Sequence, residues 1–249
     1  MGGKLAAEHR TALEAALARM RQHGADARTI AHFTTHFLAV AAGSRGTIAE
    51  EAIEPIDSLP DLPASEVDDK TAARALAQVA VVKLNGGLGT TMGLDGPKSL
   101  LVVRDGLTFL DVIVRHVLSL RQRYAVPVPL VFMDSERTHA PTVAALAAYP
   151  DLPVDGLQLH FRQGAVPRLV ADTLEPVDWP ADPGLEWCPP GHGDVFASLA
   201  ASGILDRLRD RGIRYLFISN ADNLGVPHLD LVAGAGIDKR RAARSEQAY

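Results

Sequence analysis

The strongest chemical signature in the chain is the stretch Asn85-Gly-Gly-Leu-Gly-Thr-Thr-Met-Gly-Leu-Asp-Gly-Pro-Lys98-Ser99. Five glycines in twelve residues remove Cβ atoms and permit φ > 0, so successive backbone N–H groups can turn toward one anion. Lys98 closes that stretch and is one of only five lysines in the chain. A phosphate cradle with a cation at its end is the chemistry this pattern suggests; the plainer alternative is a glycine-rich surface turn with an ordinary lysine. Spacing excludes two familiar phosphate loops. A Walker A loop ends in Gly-Lys-Ser/Thr, whereas Pro97 precedes Lys98, and Gly87, Gly89 and Gly93 give GxGxxxG rather than GxGxxG. Pro97 also fixes the backbone, so Lys98 is expected on a stiff loop rather than on a helix.

Three further constellations carry polar groups suited to a phosphorylated ligand. Ser219-Asn-Ala-Asp222-Asn223 follows an apolar run and projects a carboxylate just past it. Hard oxygen ligands beside substrate phosphates suit Mg²⁺, which takes only one or two protein carboxylates; an Asx-rich turn is the alternative. In Phe161-Arg-Gln163 the amide offers one donor and one acceptor to a base edge, although by spacing alone it is one exposed Gln among several. Trp187-Cys-Pro-Pro-Gly-His-Gly-Asp194 reads either as a ligand-contacting turn or as a Pro-Gly turn with Asp194 as helix N-cap and His192 idle. His32 and His36 have the spacing of a two-His zinc site, but no acidic third ligand lies near them in sequence, which favours a structural or solvent role. Lys239-Arg-Arg reads as a solvated basic tail.

The elements that must position these groups follow from periodicity. Apolar spacing predicts helices over 5–23 and 27–40, and Glu54-Pro-Ile-Asp-Ser-Leu-Pro-Asp-Leu-Pro63 reads as part of a linker over 54–68. From residue 70 the pattern alternates: strands over 79–84, 128–133, 157–161 and 214–219, helices over 108–124, 137–148, 194–201 and 204–211. That alternation predicts an α/β sheet with crossover helices. The near-continuous apolar runs VAVV and YLFI predict burial on both faces, as in a mostly parallel sheet. The glycine loop and the Asp222 turn then both lie beyond carboxyl ends of strands, where open α/β sheets bind ligands. The expected organisation is an N-terminal helical arm and linker over 1–70, an α/β domain over 71–232 and a basic tail over 233–249.

A length of 249 residues corresponds to between one and two domains at about 150 residues each. The apolar fraction of 47% and charged fraction of 22% exclude a disordered or collagen-like chain. A net charge of −5 disfavours nucleic acid and anionic membranes as partners, while a local pocket can still hold a small anion. The single cysteine, Cys188, excludes an internal disulfide and suits a reducing cytoplasm. Charges interrupt the N-terminal apolar residues every few positions, so neither a signal peptide nor a membrane span is expected.

LNGGLGTTMGLDGPKS closely resembles the nucleotide-binding loop of the UTP–glucose-1-phosphate uridylyltransferases, and FLDV, PLVFM, FRQGAVPR, WCPPGHGDVFASL and FISNADNLG follow in that family's order. The resemblance covers roughly residues 50 to 230. Relatives that make UDP-N-acetylhexosamines are expected to carry Gln and Arg where this chain has Leu88 and Thr91. The resemblance implies an open, mostly parallel Rossmann-like nucleotidyltransferase sheet and the Mg²⁺-dependent conversion of UTP and glucose 1-phosphate to UDP-glucose and diphosphate. It implies nucleotide contacts at Leu84, Asn85, Gly86, Gly87, Lys98, Gln163, Gly191 and Asp222, with Lys98 catalytic and Gln163 and Gly191 on the uracil. It also implies sugar-phosphate contacts at His192, Asn220 and Asp222, and Asp222 as the metal ligand. Arg168 matches the family too, without an assigned role, and Cys188 stands where an aromatic is expected. Members of the family are expected to continue past NADNLG with a second phosphate-contacting lysine and a β-helix domain, so this chain reads as C-terminally truncated. The alternative expectation is therefore a catalytically inactive nucleotide-binding fragment that needs a partner chain carrying the missing half.

Overall fold

β1 (Val79–Asn85, VAVVKLN) is buried along its length except at half-buried Leu84. Such a strand needs neighbours on both edges and cover on both faces, and a computed structural model supplies them. It describes residues 6–56, 68–89, 93 and 96–224. The tail at 233–249 with Lys239, most of the expected linker (57–67), and Thr91 lie outside the described residues. The chain divides into two compact units, Met1–Pro60 with Gly164–Ala197 and Asp61–Gln163 with Ser198–Tyr249.

In the second unit β1 pairs in parallel with β4 (Leu130–Asp134), placing Asn85 opposite Asp134, and with β8 (Tyr215–Asn220), placing Leu84 opposite Asn220. β5 (His160–Arg162) pairs in parallel with β4, so the sheet order is β5-β4-β1-β8. This is the parallel α/β sheet that the sequence pattern predicts, and all four strands end at one edge. Val79 and Val81 pack with Leu130 and Phe132 against Leu110, Ile113, Val114, Val117 and Leu120 of α4 (Phe109–Tyr124). Ala80, Val82, Val131 and Met133 are equally buried on alternate positions, as burial on both faces requires. β8 departs from that expectation. Only Ser219 is buried in it and the YLFI run is half-buried, because among the described residues β8 has a single neighbour, β1.

Local chemistry sets the boundaries. α4 starts at Thr108, whose hydroxyl accepts from the Asp111 N–H while the Asp111 carboxylate accepts from the Thr108 N–H, a reciprocal cap. Its C-terminus closes on Ala125 at φ 52°, a left-handed position held by a residue with a Cβ. Elements without a counterpart in the expected pattern include α3 (Asp69–Leu76), capped by Asp68, and the hairpin of β2 (Val102–Arg104) and β3 (Leu107–Thr108). That hairpin turns on Asp105-Gly106, both at positive φ, the dipeptide that suits a tight hairpin. The strand expected over 157–161 begins at His160, because a turn at Gly156, with the Leu157 N–H on the Val154 carbonyl at 2.9 Å, delays the chain. α5 (Glu136–Leu146) follows β4, and α7 (Ile204–Asp210) precedes β8.

In the first unit α1 (Ala7–Gln22) and α2 (Ala27–Ala41) share a small core in which Ala12 and Phe37 meet Leu174. Those helices therefore find apolar partners from the 164–197 segment. That segment holds a two-stranded ribbon, β6 (Val166–Pro167) with β7 (Trp187–Cys188). Arg19 of α1 donates to the Val177 carbonyl at 2.6 Å and to Glu186 at 3.2 Å, and His23 stacks on Trp187 at 4.0 Å. α6 (Val195–Ala201) follows a single 3-10 turn at His192–Asp194. Among the described residues no helix is long and apolar enough to cross a membrane.

Candidate active site

The glycine-rich stretch leaves the carboxyl end of β1 and returns to it. Its base is pinned by the Lys98 N–H on the Gly87 carbonyl at 3.1 Å, a bridge between Leu88 and Pro97, and the Gly89 N–H on the Gly96 carbonyl at 2.9 Å. Of its described glycines only Gly93 has a left-handed φ, 71°. Positive φ is therefore not what the other described glycines supply. Gly86 is required by proximity instead: a Cβ there would collide with Oε1 of Gln163. Lys98 opens a three-residue 3-10 turn, Lys98–Leu100, and so sits on a short helical turn, not on the open stiff loop expected from Pro97.

Gln163 follows β5, its N–H donating to the Asp134 carbonyl at 2.8 Å, and it is only 9% exposed. The sequence alone gives an exposed Gln; the structure gives a buried one whose side chain reaches Gly86 past the intervening strand β4. Asn85 is also buried, and both of its amide N–H groups are used inside the protein, on Asp134 Oδ1 at 2.7 Å and Thr142 Oγ1 at 2.9 Å. Any ligand contact by Asn85 must then come from its backbone or carbonyl oxygen.

At the end of β8 the Ala221 N–H donates to the Leu84 carbonyl at 2.9 Å, which extends the pairing one step and sets Asp222 beside the loop. The result is an ion pair, Lys98 Nζ to Asp222 Oδ2 at 3.7 Å, with each side chain about a third exposed (32% and 33%). Lys98 and Asp222, remote in sequence, thus meet at the carboxyl edge of the sheet, where the Lys98 N–H is bonded to Gly87 and the Ala221 N–H to Leu84. A solvent-reachable cation and carboxylate there can each engage a phosphate, directly or through a metal ion.

Gly191 and His192 belong to the other unit. Gly191 has φ 110°, a conformation that favours glycine, and its carbonyl accepts from the Asp194 N–H at 3.2 Å; Gly191 and His192 are both exposed. Asp194, expected as a cap, accepts from the Gly164 N–H at 2.7 Å, while the 3-10 turn leads into α6. Arg168 lies over β7, its Nε 3.4 Å from the Trp187 carbonyl. Burial pushes the Cys188 thiol up in pKa, opposed by the Arg168 charge.

Two features escape a reading of the sequence. Lys83, inside β1, is 8% exposed and donates to Ser219 Oγ at 2.7 Å; burial pushes its pKa down to about 8. A lysine within an otherwise apolar strand is the available signal. The second is Asp134, fully buried, whose Oδ2 meets Nδ1 of His139 at 3.1 Å and of His160 at 2.6 Å. His32 and His36 hold edge-to-face rings 5.3 Å apart, and neither belongs to a three-ligand group among the described residues.

Residues 30–232 match the UTP–glucose-1-phosphate uridylyltransferase family. Over 182 residues the chain is 44% identical to the UTP–glucose-1-phosphate uridylyltransferase of Solanum tuberosum, which covers 72% of this chain and 37% of that protein. It is 50% identical over 152 residues to a probable enzyme of the same name from Schizosaccharomyces pombe, covering 61% of this chain and 30% of the relative. Among solved structures, UDP-glucose phosphorylase from Trypanosoma brucei superposes with a TM-score of 0.80 at 41% identity, covering 89% of this chain and 48% of that one. A UDP-glucose pyrophosphorylase mutant from Leishmania major in complex with UDP-glucose gives 0.78 at 40% identity, covering 95% and 47%. The chain spans less than half the length of these relatives. With residues 30–232 matched by its family model, the chain belongs to the UTP–glucose-1-phosphate uridylyltransferase family.

Proposed function

We propose that the chain binds UTP at the carboxyl edge of its parallel sheet and acts in uridylyl transfer, UTP and α-D-glucose 1-phosphate giving UDP-glucose and diphosphate. The observation that carries this reading is the pairing of Lys98 with Asp222 beside the glycine loop, 3.7 Å apart and both open to solvent. In the reaction a phosphate oxygen of the sugar attacks the α-phosphorus of UTP in line, the new P–O bond forms as the bond to the β-phosphate breaks, and diphosphate leaves. Two polyanions must be aligned and their charge neutralised, and no protein nucleophile is needed. Lys98 is the catalytic residue, its ammonium stabilising charge that builds on the phosphate oxygens. Leu84, Asn85, Gly86 and Gly87 meet the nucleotide through the backbone at the loop's base. Gln163 and Gly191 read the uracil, and His192 and Asn220 hold the sugar phosphate.

Asp222 would hold Mg²⁺. A partly exposed carboxylate, paired with the Lys98 ammonium at 3.7 Å, fits an ion that combines one or two carboxylates with phosphate oxygens and water. When bound, that ion neutralises phosphate charge. The cytoplasm is the proposed setting, supported by the lone cysteine. The test is calorimetric titration with UTP, beside UDP-glucose pyrophosphorolysis, on the parent and Lys98→Ala. Loss of one such charge-stabilising contact lowers the rate by about 10²–10³-fold, and equal kcat/KM for the two proteins refutes the assignment.

A further inference from the structure

We propose that Asp134, His139 and His160 form a binding site for one divalent d-block ion of the zinc type, separate from Asp222. The three come from rigid elements: the last residue of β4, the first turns of α5 and the first residue of β5. Their ligand atoms lie within 4.8 Å of one another. Nδ1 of His139 is 3.1 Å and Nδ1 of His160 2.6 Å from the same oxygen, Asp134 Oδ2. A tetrahedral zinc ion with bonds of about 2.0–2.1 Å holds its ligand atoms ~3.3 Å apart. His139 is thus nearly in place, and His160 needs to open by a few tenths of an ångström to about 0.7 Å, a small rotation of its ring. The rings stand at 87° with centroids 5.2 Å apart, and His160 is backed by Phe132 at 5.8 Å.

The electrostatics favour a cation. Asp134 is fully buried, and among the described residues its ion-pair partners are these two histidines alone. Its other oxygen, Oδ1, accepts from Asn85. A buried carboxylate is stabilised by a positive charge held beside it. A dication supplies the charge, and two imidazoles with one carboxylate select zinc-type ions over Mg²⁺ or Ca²⁺, which take oxygen ligands. The His139 side chain is 28% exposed, leaving an entry route and room for water as the fourth ligand. The site does not depend on the uridylyltransferase reading.

The test is titration of the metal-stripped full chain with Zn²⁺ against a chromophoric chelator, with Co²⁺ absorption as a second readout. The proteins are the parent, His139→Gln/His160→Gln, His139→Ala and His32→Gln/His36→Gln. The parent should bind one ion and show the visible bands of four- or five-coordinate Co²⁺. Affinity should fall by at least about 100-fold in the His139/His160 variant, beyond what loss of an outer-shell partner alone produces, and should stay unchanged in the His32/His36 variant. His139→Ala, at a partly exposed helical position, decides the question if the double variant fails to fold. No stoichiometric binding by the parent, binding that survives His139→Ala, or binding lost with His32 and His36 overturns the proposal.

Discussion

Replacing Lys83 by Met removes one buried charge from the central strand while keeping a stem of similar length. Lys83 is 8% exposed, donates to Ser219 Oγ at 2.7 Å, and has its pKa pushed by burial from 10.5 to about 8. At about 1.36 kcal/mol per pH unit, that gap puts the cost of holding the ammonium inside the folded sheet at about 3 kcal/mol. Below pH 8 the folded and unfolded chains both carry the proton, so the whole cost is present. Between about pH 8 and 10.5 the unfolded chain keeps a proton that the folded chain has released, and the parent's stability rises with pH. The Met variant lacks this term, so the difference between the two proteins should move toward the parent by about 2.5 kcal/mol from pH 7 to pH 10. Losing the hydrogen bond to Ser219 costs the variant about 1.5–3 kcal/mol. It should therefore match or exceed the parent by up to about 1.5 kcal/mol at pH 7, and trail it by about 1–2.5 kcal/mol at pH 10. Urea unfolding of both proteins across this range, followed by circular dichroism, measures the difference; both tryptophans, Trp179 and Trp187, lie in the other unit and would report elsewhere. Groups that titrate in both proteins cancel. Stability curves that stay parallel between pH 7 and 10 refute a depressed Lys83 and the desolvation argument behind it.

Gly86→Ala should displace the Gln163 amide, because the new Cβ takes the place of Oε1. The end of a side chain can move, so the expected stability loss is about 1 kcal/mol by chemical denaturation, while UTP affinity by calorimetry falls clearly; unchanged affinity counts against Gln163 as the base reader. UTP should bind better than CTP or ATP by roughly 5- to 150-fold, since each mispaired buried polar group costs about 1–3 kcal/mol, and indistinguishable UTP and ATP isotherms would sink the base assignment. Ala125→Gly should raise stability by about 0.5–1 kcal/mol, since a residue with a Cβ occupies φ 52° at the end of α4; a lower melting temperature contradicts it.

What the sequence made legible was what depends on neighbours in the chain. VAVVKLN gives a doubly covered strand, Thr108 and Asp111 give a helix start, and the glycine run ending at Lys98 gives a loop with a cation. The features that local pattern does not reveal are long-range ones. YLFI has the same apolar signature as VAVV, yet it pairs on one side only among the described residues, a property of sheet order that no local pattern encodes. Gln163 looks exposed in sequence and is buried because Asp134 accepts its N–H across the β4–β5 pairing and Gly86 leaves room for its amide. Lys83 is visible as an oddity in its strand, but its partner Ser219 lies on β8 and its depressed pKa comes from the burial that pairing creates.

Asp134 is silent in the sequence because its contacts, too, are long-range. As the last letter of LVFMD it reads as a strand end, and its meaning comes from register: Asn85 opposite it on β1, Arg162 opposite it on β5, and His160 two residues before Arg162. Parallel pairing gathers these positions at one edge, where the side chain takes Asn85 and both histidines while the backbone carbonyl takes the Gln163 N–H. Asn85 begins the glycine loop, and Gln163 reaches Gly86 within it. Asp134 therefore holds the strand end that launches the loop through its carboxylate, and the strand end that carries the proposed base reader through its backbone carbonyl. A metal ion bound at the proposed site would act through Asn85 on the base of the glycine loop without touching a nucleotide. Coupling of this kind requires differential interaction with the bound and free states, and the shared hydrogen bonds at Asp134 supply a contiguous physical route for it.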